Sequence, residues 1–282
     1  MAVRWHGLGG AVAASALVSV TLFTATGCAE GGAAADDPVP PGGSRPGASA
    51  VRQAADTLYR AGTSRVRTSM EMDSGGTRVT VEGTGGFDYT RRSGRLVVSL
   101  PQGASGARPG ERRPVTELIA PGALYMKNRG EGVPADKWVR VETATLPDGN
   151  LVTGGATDPV SAAELLRGAR KIRYEGRQEL DGVPVWHYSG SVDIEAAAVA
   201  APPYARRQLK AAEKGFSGHE VPFDAYLDGQ ARLRKVQHRF TFASAGGGID
   251  VASTTRLHGF GAPVRVVMPP SRDIYAGKIA LP

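Results

Sequence analysis

Apolar positions run almost without a break from about Leu8 to Phe23, and no periodic apolar pattern follows until Val51. From there Val51, Ala54, Ala55, Leu58 and Tyr59 recur at i, i+3, i+4, i+7 and i+8. That spacing predicts an amphipathic helix over Val51 to Ala61, stopped by Gly62. The period then changes from 3.6 to 2. Met70 and Met72 alternate with Ser69 and Glu71, and Val79 and Val81 with Arg78, Thr80 and Glu82. Each set is one apolar face of a strand.

Further extended segments are expected at Arg95 to Leu100, Val115 to Ile119, Ala123 to Lys127 and Lys137 to Glu142, separated by Gly- and Pro-rich turns. Asp158 then offers a helix N-cap with Pro159 at the first helical position. Val160, Ala163, Leu165 and Leu166 form its buried stripe, and Gly168 ends it. Strands resume at Lys171 to Leu180 and Val183 to Val192, joined by the turn pair Asp181-Gly182. The Ala-rich stretch Glu195 to Glu213 is interrupted by Pro202-Pro203 and predicts a broken helix or two short ones. Val221 to Leu227, an Asp228-Gly229 turn, Arg232 to Phe242, Ile249 to Leu257 and a terminal Val264 to Met268 complete the strand pattern.

The pattern describes an α+β chain in which about ten antiparallel strands form a meander with about three helices, in one domain over residues 51–282. A sheet of that size curls, and its apolar face must be covered. Three helices on the concave side either leave a gap lined by Val, Leu, Met and aromatic side chains or pack it completely. Met70, Met72, Val79, Val81, Leu96, Val98, Phe223 and Leu227 share the apolar sides of their strands and are the expected cavity-facing residues.

The N-terminal run changes the picture from fold to location. A basic start at Arg4, an apolar stretch and then small residues have the layout of an export signal over residues 1–27. Gly27-Cys28 fits a lipobox, with Ala25 where Leu is usual. Cys28 is the only cysteine, so no disulfide forms within the chain, and acylation of Cys28 accounts for an otherwise unpaired exported thiol. Residues 28–50, rich in Gly, Ala, Pro and Asp, then read as an acylated start and a tether. As a random coil the tether would reach about 25 Å from the bilayer. The expected site is the outer face of a cell membrane, with the lipid anchor as the membrane contact. Arg outnumbers Lys 27 to 7, as in GC-rich actinobacterial coding, and the net charge of +7 is spread rather than clustered. With export, that argues against a nucleic-acid partner.

No chemistry of bond making stands out. The histidines His6, His187, His219, His238 and His258 show no metal-ligand spacing, and no cofactor motif occurs. His219-Glu220 begins like a zinc-protease helix, but Phe223 stands where the second His belongs. Gly215-Phe216-Ser217-Gly218-His219 lacks the last Gly of a hydrolase elbow. His187, between Trp186 and Tyr188, reads as structural, and Trp138 as a core residue in preference to a ligand contact.

Several strand-and-turn signatures together resemble a known group. They are Asp181-Gly182-Val183-Pro184-Val185-Trp186-His187-Tyr188, Val221-Pro222-Phe223-Asp224-Ala225-Tyr226-Leu227-Asp228-Gly229-Gln230, Leu124-Tyr125-Met126-Lys127, Lys137-Trp138-Val139-Arg140-Val141 and the closing Phe260-Gly261-Ala262-Pro263-Val264. Over roughly residues 50–275 they look like the actinobacterial LppX/LprA/LprF/LprG lipoproteins. The resemblance implies a LolA/LolB-like half-barrel wrapped around helices with an apolar cavity. It also implies carriage of lipids or acylated glycolipids without covalent catalysis, with a membrane transporter or receptor as a further partner. The alternative is an envelope sensor that uses the same half-barrel to contact a membrane protein. The insert Gln102 to Arg113 departs from the family pattern, so the resemblance does not name the ligand.

Overall fold

The alternating segments pair with their sequence neighbours wherever a short turn joins them. The computed structural model describes residues 44–74, 76–99, 114–129, 132–152, 157–216, 218, 220–244 and 247–276. Cys28 and the insert Gln102 to Arg113 lie outside these residues. The strands are β1 (Thr63–Ser74), β2 (Thr77–Asp88), β3 (Ser93–Ser99), β4 (Val115–Ala120), β5 (Ala123–Lys127), β6 (Trp138–Glu142), β7 (Ala169–Leu180), β8 (Val183–Asp193), β9 (Glu220–Asp228), β10 (Leu233–Ser244) and β11 (Gly247–His258). They form one antiparallel sheet in the order β6-β5-β4-β3-β2-β1-β11-β10-β9-β8-β7. Two meanders therefore meet at the β1–β11 seam. The outermost strands β6 and β7 do not pair with each other, so the sheet is an open half-barrel.

The helices are α1 (Ala48–Arg52), α2 (Ala54–Ala61), α3 (Pro159–Leu165), α4 (Ile194–Ala200) and α5 (Pro203–Gly215). The connection from β6 to β7 carries α3 from one edge of the sheet to the other, and the β8-to-β9 connection supplies α4 and α5. These helices cover one face, with α3 against β10 and β11, α2 against β1 and β10, and α4 against β8. Asp158 caps α3 by accepting the Val160 and Ser161 N–H groups at 3.0 and 2.9 Å.

The register shows why this face is apolar. Val66, Met70 and Met72 stand opposite Leu257, Ser253 and Val251 on one side and Gly85, Val81 and Val79 on the other. Leu96 and Val98 continue the row through Glu117 and Val115 to Met126. Across the seam, Val236, His238 and Phe240 lead to Ala225 and Phe223, then to Tyr188 and Gly190. Alternate residues Arg65, Arg67 and Glu71 are exposed on the outer face.

Four expectations need correction. The first helix is two, because Gln53 (φ −95°, ψ 7°) breaks it, which brings the described residues to five helices beside eleven strands; the break between α4 and α5 falls at Pro202, where the sequence predicts it. Asp228-Gly229 is not a two-residue turn. Residues 229–232 form a longer loop around the buried Asp228 carboxylate, which accepts the Gln230 and Arg232 N–H groups and both Arg232 and Arg234 Nε. Val264 to Met268 joins no ladder; it is an extended strap whose Val264 lies over Gly86 on the outer face. Trp138 is half-buried on the outer face of edge strand β6, beside Lys127, and not in the core.

Candidate functional site: the inner face of the half-barrel

The expected cavity residues all fall on the inner face, in two groups. Met70, Met72, Val79, Val81, Leu96 and Val98 adjoin one another on β1 to β3; Phe223 and Leu227 lie on β9, with β10 and β11 between. Leu96, Val98 and Leu227 have no exposed surface, Met70, Val81 and Phe223 almost none, and Met72 and Val79 are half-buried. Full burial is worth about 1.5–3 kcal/mol for each such side chain.

The inner face is not wholly apolar. Glu117 on β4 has no exposed surface, and neither carboxylate oxygen has a hydrogen-bond partner. Burial pushes its carboxyl up to about 8, opposed by the Arg129 guanidinium and reinforced by Asp158. His238 on β10 is equally enclosed, its Nε2 has no partner, and burial takes its imidazole down to about 3, so the ring is neutral. Thr157 Oγ1 and Ser253 Oγ meet at 2.7 Å between the α3 lead-in and β11. Glu164 on α3 is fully buried too, but is satisfied by Arg167 Nε at 2.6 Å and the Tyr204 hydroxyl at 2.9 Å.

Two small recesses lie at different places on the half-barrel. A recess of about 40 Å³ opens at the end of the half-barrel between Phe87, Ile119, Leu124, Asn150, Asp158 and Tyr204. A second of about 30 Å³ lies between Leu180, Val183 and Leu257 near the β7–β8 turn. Asp181 (φ 51°) and Gly182 (φ 79°) form that turn in the left-handed conformation that tight hairpins require.

His187 lies on the outer face, stacked on Tyr226 at 4.3 Å, with Nε2 2.7 Å from Asp224 Oδ1. Ser217 and His219 lie outside the described residues. Among the described residues no group of three or more His, Cys, Asp or Glu could hold a metal ion, and no helix is long and apolar enough to cross a membrane.

No protein-family model matches the chain, and no curated protein matches it. Solved structures do. Lipoprotein LppX of Mycobacterium tuberculosis is 11% identical over 78% of this chain and 97% of its own, with a TM-score of 0.47. LprF of Mycobacterium bovis is 14% identical over 79% and 96%, with a TM-score of 0.40. MucB is 14% identical over 82% of this chain and 64% of its own, with a TM-score of 0.35. The likeness is one of fold.

Sequence reasoning missed Glu117, although a signal was present. Val115, Glu117 and Ile119 share one parity in Val115-Thr116-Glu117-Leu118-Ile119, which places a carboxylate on an apolar row. The recess residues Arg92, Thr143 and Asn150 come from three separate turns, and no local pattern marks them.

Proposed function

We propose that the protein is an exported lipoprotein, anchored through acyl chains on Cys28 and a tether that ends before helix α1, which starts at Ala48 and not after residue 50 as the sequence suggests. Its single domain holds the acyl chains of lipids or glycolipids against the inner face of the half-barrel and does no covalent chemistry. The observation that carries this reading is an enclosed apolar face, continuous from β6 to β8, that contains unpartnered polar groups. A core selected only for stability satisfies or excludes such groups. Here Glu117 and His238 are left as polar points inside an apolar lining.

Ligand pockets run to about 300–1,000 Å³, whereas the two recesses hold about 40 and 30 Å³. Uptake on this reading therefore displaces helices α3 to α5 from the sheet. The acyl chains replace helix–sheet contacts at about 25 cal/mol per Å² of apolar surface kept from water.

The packing of α2, α3 and α4 against the inner face favours a second reading. A half-barrel that needs no cargo would act as a sensor, presenting its surface to a membrane-protein partner such as a transporter or receptor. One experiment separates the two. Full-length protein purified from the membranes of an actinobacterial host is extracted with organic solvent, and non-covalent lipid is quantified by mass spectrometry. About one acylated molecule per chain supports the carrier. Extracts equal to a denatured blank, together with no uptake from vesicles, reject it in favour of the sensor.

A further inference from the structure

The outer face of the sheet carries its charge unevenly. Strand register puts Arg67 on β1 directly opposite Arg256 on β11, and Arg256 directly opposite Lys235 on β10. Arg65 stands one outer position further along β1, with only Gly86 between it and Arg95 on β3. The four arginines are exposed and Lys235 is half-buried. Like charges opposite one another destabilise a sheet, yet none of these five cations forms an ion pair among the described residues. Asp224, beside them on β9, is taken by His187 and Arg239 at 2.7 and 2.8 Å. Glu82, one outer row away on β2, pairs with none of them. Glu71 lies four residues from Arg67, about 13 Å along the strand, beyond the roughly 8 Å over which exposed charges act at physiological salt. Burial and then the Arg256 guanidinium hold the Lys235 ammonium below its usual range, so the band repels its own members.

The strap adds apolar surface to the same face. Val264 lies over Gly86, so the strap crosses between the Arg65 and Arg95 positions. Beyond it Arg265 is exposed, and so are Val267 at 66% and Met268 at 36%. Four large apolar side chains are exposed among the described residues, and this pair makes up half of them. Val267 is at most about 10 Å along the chain from Val264.

Cations beside a protruding apolar pair match an anionic bilayer, which offers phosphates to the first and an acyl boundary to the second. A nucleic acid would leave Val267 and Met268 in water. An acidic protein would meet the charge, but nothing on the chain holds one nearby. The tether does hold a bilayer nearby: about twenty residues between Cys28 and α1 span roughly 65 Å when extended. We propose that the outer face of β1, β10 and β11, with the strap beside it, is a docking surface for an anionic phospholipid bilayer. Docked so, the helix-covered face points away from the membrane. The proposal goes beyond lipid carriage and rests on the anchor reading only for what brings a bilayer within reach.

The test floats full-length Cys28→Ala protein, which lacks the acyl anchor, with vesicles of phosphatidylcholine alone or of equal parts phosphatidylcholine and phosphatidylglycerol. The anionic vesicles should bind it selectively, and less so as salt is raised. Each basic side chain near an anionic surface is worth about fivefold in affinity. Arg67→Gln with Arg256→Gln should therefore weaken binding about thirtyfold, with a melting temperature no lower than the parent's, because the change relieves like-charge opposition. Arg65→Gln alone should cost about fivefold and gives the same reading if the pair variant does not fold. Val267→Ser with Met268→Ser should weaken binding several-fold at unchanged charge. Arg173→Gln with Arg177→Gln removes two charges from the exposed β7 edge and should leave binding as it was.

Equal binding to both vesicle types, equal loss from the two arginine pairs, or binding that survives the Arg67, Arg256 and Arg65 substitutions would overturn the proposal. Absent vesicle binding with retention on immobilised poly-glutamate would overturn it in favour of an acidic protein partner. None of these results touches the anchor or lipid carriage, since the protein tested has no acyl chains and flotation does not count cargo.

Discussion

Replacing Glu117 by Gln isolates the cost of one buried carboxyl. Wild-type Glu117 has no exposed surface and no hydrogen-bond partner, and its carboxyl is raised from 4.5 to about 8. The native state therefore binds the proton more tightly than the unfolded chain. Stability from this group is fully present below about pH 4.5 and is lost as pH rises through 8. The full difference of about 3.5 pH units corresponds to about 5 kcal/mol, of which about 4 kcal/mol falls between pH 5 and 9. The amide introduced by Glu117→Gln does not titrate, and every other ionisable group is common to both proteins. Urea unfolding of both proteins at each pH gives a difference in which those common groups cancel. That difference should move about 4 kcal/mol in favour of the variant from pH 5 to 9, steepest between pH 5 and 8 at about 1.4 kcal/mol per pH unit. A difference that stays flat across this range would show that Glu117 is solvated or paired in solution, and would remove it as a polar point of the inner face.

Other substitutions test other parts of the structure. Asp228→Ala strips the buried partner from Arg232 and Arg234, whose Nε atoms lie 2.8 Å from Oδ2; a loss of about 3–5 kcal/mol is expected in thermal or urea unfolding, and a loss under about 1 kcal/mol would refute the ion-pair account. At Gly85 an added Cβ would lie 1.9 Å from the Arg95 carbonyl oxygen, so Gly85→Ala should prise β2 from β3 and leave a chain without a sharp unfolding transition. A normally cooperative melt of that variant would contradict the register. Leu96→Ala opens a hole in the inner-face row and should cost about 2–5 kcal/mol by denaturant unfolding. Cys28→Ala should move the protein from the membrane to the soluble fraction on cell fractionation, and retention on the membrane would refute the anchor.

The inner face was legible because a strand repeats every two residues. Once Met70 and Val81 are assigned to one side, the parity of every residue in their strands is fixed, and long antiparallel pairing kept it. The helix start at Asp158-Pro159 was equally legible, since capping is a local interaction. What the sequence hid was long-range. The strap at Val264 to Met268 has a strand's composition, but the edges of β1 and β2 are already occupied, so it crosses their outer face instead. Asp228-Gly229 looks like a tight turn until Arg232 and Arg234 converge on the Asp228 carboxylate and hold a wider loop. Arg92, Thr143 and Asn150 line one recess although they are far apart in the sequence.

An open sheet has two edges, and each is a row of unpaired backbone groups on which another chain could grow. The protein guards them by different means. Beyond the strap, the chain returns to β6, where Ile274 bridges Trp138 in parallel, the Tyr275 N–H donates to the Trp138 carbonyl at 2.8 Å, and Lys137 Nζ reaches the Arg272 carbonyl at 3.0 Å. The β7 edge has register shifts and exposed Arg170, Lys171, Arg173, Arg177 and Glu179, which make it irregular and charged. One flank is thus sealed by the chain's own tail and the other by electrostatic repulsion. Cutting the chain after Pro270 would unseal only the first, and would turn a guarded sheet into a template for edge-to-edge polymerisation.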